Sequence, residues 1–119
     1  MKILAANNQL DAIIAKVDKN GILAEGLVND LKELRELALK EQDPLVVKVL
    51  RLTYEYLSER EAFDVQGQYE EDEEGSEYPL EIEDKDNLLY LLYLLKNADH
   101  KINREEIKDY RTALKMELY

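Results

Sequence analysis

Cysteine is absent from the 119 residues. That removes disulfides, thiolate-bound zinc, iron–sulfur clusters and a thiol nucleophile. A single histidine, His100, excludes His-rich metal sites and any His pair. Four glycines and two prolines are too few for a turn-rich sandwich or barrel. The longest apolar run, 88–95, is eight residues, whereas a spanning helix needs about 20. The opening residues Met1 to Ala6 give way at once to Asn7, Asn8 and Gln9, which leaves no signal-peptide core and makes the cytoplasm the expected compartment. Bases are outnumbered, 16 against 27 acids, for a net charge of −11. Direct nucleic-acid binding through a basic face is disfavoured, and nothing points to a membrane.

What remains is a soluble globular composition, with 45% apolar and 36% charged residues. Residues 1–119 make one domain, large enough to bury a core unaided. The patterning is helical. Leu10, Ile13, Ile14 and Val17 line one face of a helix over about 8–18, with Asn7 or Asn8 as N-cap. Leu27, Leu31, Leu34 and Ala38 do the same over about 23–41. Asp43 and Pro44 suit the N-cap and first position of a third helix running to about 60. Its buried stripe is Val46, Val49, Leu50, Thr53 and Leu57, and the short connection makes helices two and three an αα-hairpin. A fourth helix, about 86–97 with Asp84 or Asp86 as cap, is apolar on every side. It belongs at the middle of the bundle or in a dimer interface, with Tyr90 and Tyr93 at the rim. A fifth, about 104–118, turns Ile107, Tyr110, Leu114 and Leu118 inward.

The charge is concentrated in one stretch. Residues 61–86 hold twelve acids and one base, Lys85, so this insert carries the whole net charge and the rest is neutral. Period-two alternation at Phe63 and Val65, and again at Tyr78, Leu80 and Ile82, fits either a small β-hairpin across 70–77 or an irregular loop pinned at Phe63, Leu80 and Ile82. The insert reads as a solvated loop, a docking surface for a basic partner, or a collector of cations.

Residues 97–106 resemble an EF-hand loop, with Asp99, Asn103 and Glu106 at ligand positions between two helices. The first ligand position holds Leu95, and His100 stands where the sharp turn wants glycine. A capping box accounts for the same residues: Asn103 as N-cap, Glu106 at N3, and Ile102 with Ile107 as the hydrophobic staple. No phosphate loop, nucleophile elbow or zinc-helix motif is present. Ser58 and Ser76 are the only serines, and neither has a context that would build a triad with His100.

The sequence therefore describes an all-α bundle of four or five helices, with an acidic loop or small β-hairpin between helices three and four. No catalytic, cofactor-binding or metal residue is assigned. The expected function is a non-enzymatic protein-interaction or regulatory module, with a possible homodimer. Its candidate partner-binding residues are Glu70, Glu71, Asp72, Glu73, Glu74 and Glu77, together with Tyr54, Tyr56, Tyr90 and Tyr93. One alternative is an acidic inhibitor or immunity-type decoy for a basic, nucleic-acid-binding protein. The other is a degenerate EF-hand-like cation binder.

Overall fold

The computed structural model describes residues 1–119, apart from the side chain of Pro79. Five helices and one two-stranded ribbon follow in the order α1 (Leu4–Asn20), α2 (Leu27–Leu39), α3 (Pro44–Arg60), β1 (Tyr69–Glu71), β2 (Glu77–Pro79), α4 (Asp84–Lys96) and α5 (Lys101–Leu118). The helices close into a ring: α1 packs on α2, α2 on α3, α3 on α5, α5 on α4, and α4 back on α1. Thus α5 lies between α3 and α4, and the acidic connection between those two helices crosses over it. No helix is long and apolar enough to cross a membrane.

Helix starts are where tertiary contacts displace the expected caps. α1 begins at Leu4, ahead of Asn7 and Asn8, and Ile3 at its N-cap supplies no side-chain bond. Met1 is buried, and its nitrogen donates to the carbonyls of Leu95 and Lys96 at the end of α4. Asn7 donates its amide to the Met1 carbonyl and does not cap. α2 starts at Leu27, later than its apolar spacing suggests, because Gly26 sits at φ 77°, where a right-handed helix cannot run. α3 follows the expected chemistry. Asp43 accepts the Val46 N–H and Pro44 occupies the first position. Asp43 also takes a two-pronged bond from Arg104 at 2.8 and 3.2 Å, which ties the α2–α3 turn to α5. That guanidinium holds the Asp43 carboxyl below its ordinary range.

α5 overturns the capping box. The helix begins at Lys101 with His100 as N-cap, so Asn103 already lies inside the first turn. The Asn103 amide donates to the Asn97 carbonyl, Glu106 accepts the Tyr90 hydroxyl, and Ile102 is 65% exposed and staples nothing. The turn from 97 to 100 is closed by the backbone bonds Asn97 N–H to Leu94 and His100 N–H to Asn97. That leaves room for three more helical residues than the sequence pattern implied.

α4 is the central apolar element. Leu88, Leu91, Leu92 and Leu95 are fully buried within the single chain, which favours the bundle interior over a dimer interface for this helix. Enclosure is not complete, since Tyr93 is 55% exposed. The two residues predict opposite outcomes. Leu92→Asp places an unpaired charge in the core, at a cost of several kcal/mol, and should abolish the cooperative thermal transition followed by circular dichroism. Tyr93→Asp should melt within a few degrees of the parent. Equal tolerance at both positions would refute this placement of α4.

Candidate protein-interaction site

The acidic segment is a built ribbon, not an irregular loop, and its construction begins with a buried asparagine. Asn87, 1% exposed on α4, donates to the carbonyls of Phe63 at 3.0 Å and Val65 at 2.8 Å. Its own oxygen accepts the Tyr110 hydroxyl at 2.6 Å, and that hydroxyl in turn accepts the Gln68 amide at 2.9 Å. Every polar group in this chain of bonds has a partner, as burial requires. Phe63 wedges beneath it, edge-on to Tyr56 with centroids 5.9 Å apart and stacked on Tyr110 at 6.4 Å. Gly67 crosses the Tyr110 ring so closely that a Cβ there would stand 2.6 Å from ring carbons. Burial drives the Tyr110 hydroxyl pKa upward.

From that anchor the chain runs out and back. Leu80 N–H closes on the Gln68 carbonyl at 2.9 Å, and the strands pair antiparallel with Tyr69 opposite Pro79, Glu70 opposite Tyr78 and Glu71 opposite Glu77. Asp72 builds the turn. Its carboxylate accepts the N–H groups of Glu74 and Ser76 at 2.9 and 2.8 Å, and Gly75 takes the positive φ of 82°. The strands begin at Tyr69 and Glu77, so the alternation at Phe63 and Val65 marks the buried anchor and not a strand. Leu80 and Ile82 are half-buried.

Residues 69–78 are all exposed, and six of them are the carboxylates Glu70, Glu71, Asp72, Glu73, Glu74 and Glu77. Glu71 and Glu77 face each other directly, a like-charged pair that weakens a ribbon. Glu77 also repels Asp109 of α5. Burial first, then Glu105, Glu106 and Glu77, raise the Asp109 carboxyl above its ordinary 3.8. The acidic face therefore continues from the ribbon onto one flank of α5.

The four tyrosines do not join this face as one surface. Tyr56 is 1% exposed, with its hydroxyl on Asp64 and its pKa pushed up to about 12 by burial and then by that carboxylate; it is removed from the candidate surface. Tyr90 is half-buried and bonded to Glu106, its pKa likewise pushed up to about 12 by burial first. Tyr54 lies beneath Lys32 of α2, 5.5 Å from ring centroid to Nζ, and Tyr93 is exposed on α4. α3 and α4 are not principal neighbours, so these residues occupy separate sides of the bundle. The exposed aromatics that do accompany the carboxylates are Tyr69 and Tyr78, at 53% and 44%. Tyr78 stands in the alternating run with Leu80 and Ile82, whereas Tyr69 lies outside both runs.

Among the described residues, no group of three or more His, Asp or Glu is arranged to hold a metal ion. Asp99 and Asn103 line one shallow hollow with Asn97 and His100, while Glu106 is turned to the Tyr90 hydroxyl. Ser58, Ser76 and His100 sit on α3, the ribbon turn and the α5 N-cap, all exposed. A further feature escaped the charge count. Lys101, Arg104, Lys108, Arg111 and Lys115 recur along α5 at intervals of three and four, which places five cations on the flank away from Glu106 and Asp109. Periodicity of charge, not of hydrophobicity, was the signal that would have found them.

Two predictions test this construction. Asn87→Ala strands two carbonyls and the Tyr110 hydroxyl, at about 1–3 kcal/mol for each group left unpaired, and should lower the melting temperature by more than 10 °C. Gly67→Ala should act in the same direction, by pushing on the Tyr110 ring. Asp109→Asn should stabilise the fold at pH 7. Because the folded pKa of Asp109 is raised, its favourable contribution is complete below 3.8 and is lost as pH rises through the folded value. The advantage of the Asn variant should accordingly shrink to nothing as the medium is acidified through that range. An advantage that grows on acidification would contradict the repulsion.

No protein-family model, curated protein or solved structure matches the chain, and its function is read from its own residues.

Proposed function

We propose that the chain is a non-enzymatic protein-interaction module that engages a basic partner protein through the acidic ribbon. The observation that carries this reading is a set of like charges held in fixed register. Glu71 stands opposite Glu77, Glu77 repels Asp109, and the whole is clamped from below by Asn87. A loop serving only solubility has no need of a turn tied by Asp72 or of a buried anchor. Fixed carboxylates lower the ordering cost of binding. Their summed field accelerates encounter with a cationic face, and cations placed on the ribbon relieve a repulsion the free protein carries. A nucleic-acid-binding protein is one target whose basic face this row of carboxylates suits, which makes the inhibitor reading a special case of the same surface.

The test compares the parent with a ribbon in which Glu70, Glu71, Glu73, Glu74 and Glu77 are changed to Gln, while Asp72 is kept to hold the turn. Proteins retained from a source-cell lysate by the parent alone are identified, purified and measured by stopped flow. Neutralisation should slow association at least tenfold, with little change in dissociation, and added salt should slow the parent towards the variant. Equal rates for the two forms at 0.15 M salt would reject the ribbon as the docking element.

A further inference from the structure

The Lys and Arg flank of α5 holds the complementary chemistry. Lys48 of α3 and Arg111 and Lys115 of α5 line a cleft of about 660 Å³ with Thr112, Met116 and Tyr119. Every charged side chain in that lining is a cation, and the Tyr119 hydroxyl donates to Glu55 beside it. None of the three has an ion-pair partner among the described residues, in a chain with 27 acids and 16 bases. Arg111 and Lys115 stand at i and i+4, a like-charged spacing that weakens a helix. A second groove of about 380 Å³ shares Lys48 and extends the surface across Val47 to Leu39, Arg35 and Arg51. Both arginines already face carboxylates, Arg51 at 3.7 Å from Glu55 and Arg35 at 3.9 Å from Glu36, and Asp43 also lines this groove.

Apolar groups interrupt the cations. Leu39 is 45%, Met116 77% and Tyr119 78% exposed. The ribbon has the opposite sign, six carboxylates flanked at the two ends by the exposed rings of Tyr69 and Tyr78. Its root comes to the rim of the cleft of its own molecule, where Tyr69 and Met116 line one hollow, but none of its carboxylates is paired there with Lys48, Arg111 or Lys115. We infer that the cleft between α3 and α5 receives the acidic ribbon of a second copy of this chain. This names a partner for the ribbon and rests on its reading as a docking element. Carboxylates meet unpaired cations, and the tyrosines lie against Met116, Leu39 and the basic side chains.

The contact is heterologous, since ribbon and cleft are different surfaces, so association continues beyond a dimer unless the rotation closes a ring. The net charge does not forbid it. Ribbons of successive copies are separated by about the width of the bundle, whose short extents are 29 and 28 Å. That is several times the Debye length of about 8 Å at 0.15 M salt, whereas ribbon and cleft meet within it. At about 0.01 M salt the Debye length reaches about 30 Å and ribbon–ribbon repulsion returns; at about 1 M the contact itself is screened. Association is therefore strongest at intermediate salt.

Light scattering coupled to size exclusion, over 10 µM to 1 mM chain and three salt concentrations, tests this with two half-disabled proteins. One carries Lys48→Glu, Arg111→Glu and Lys115→Glu; should it fail to fold, the Gln versions replace it. The other carries the neutralised ribbon described above. The parent should grow with concentration, most at intermediate salt, and each variant alone should stay monomeric. An equimolar mixture should stop at a one-to-one dimer, because one intact ribbon meets one intact cleft. A parent that stays monomeric at 1 mM and 0.15 M salt overturns the inference, as does growth of the cleft variant equal to the parent's. Binding of inorganic tripolyphosphate to the cleft of a monomeric parent overturns it in favour of a small-anion site. A parent that stays monomeric yet captures a foreign basic protein that the neutralised ribbon does not would leave the ribbon's role standing while this inference failed.

Discussion

Asn87 is the point on which the outward-facing part of the molecule depends. Its side chain makes three bonds to two different stretches of chain, donating to two carbonyls of the segment leaving α3 and accepting the hydroxyl of the α5 tyrosine. A buried amide with all its partners fixes geometry more tightly than apolar packing does, because each bond has a direction as well as a distance. The price is that any one missing partner leaves desolvated groups behind. The ribbon, although exposed from end to end, inherits its position from this interior triangle and from the close passage of Gly67 over the Tyr110 ring.

The bundle around it sorts charge as carefully as it sorts hydrophobicity. α5 shows this in one helix. Ile107, Tyr110 and Leu114 face inward, Glu106 meets Tyr90 of α4, Asp109 feels Glu77 of the ribbon, and a row of Lys and Arg faces the other way. The consequence is a molecule whose net charge says little about any one side of it. A chain with an acidic ribbon and a basic cleft presents both signs of charge, and the salt in the medium decides how far each is felt.

Much of the fold was legible because hydrophobic spacing determines which helix faces are buried. The stripes of α2 and α3, the Asp43–Pro44 start and the inward face of α5 through Ile107, Tyr110 and Leu114 all follow from periods of three and four. Helix starts were less legible, since Met1 under α4 and the tight turn before His100 act through tertiary contacts that local cap rules do not see. The acidic ribbon was visible as composition and as one of two local structures. Its anchor was not, because Asn87 reads as an ordinary polar residue in the first turn of a helix. Nothing in its neighbours in sequence reveals that Phe63, Val65 and Tyr110 converge on it. The separation of Tyr54 from Tyr93 was hidden for the same reason, since which helices touch is a property of the ring and not of any one segment.

The crossing of the α3–α4 connection over α5 also bears on how the chain reaches this state. α2 and α3 are joined by a short turn and can pair as soon as both are helical, on the microsecond scale of local structure. The anchor cannot form so early. Its bonds join residues 22 to 42 positions apart, and one of the three participants, Tyr110, lies on a helix that follows the others in sequence and must slot between α3 and α4. Loop closure over such distances costs chain entropy before any contact repays it. The ribbon is thus set late, after the helices have met, and its amide protons should be the first to exchange with solvent when the native molecule opens locally, while those of α4 persist until the whole bundle comes apart.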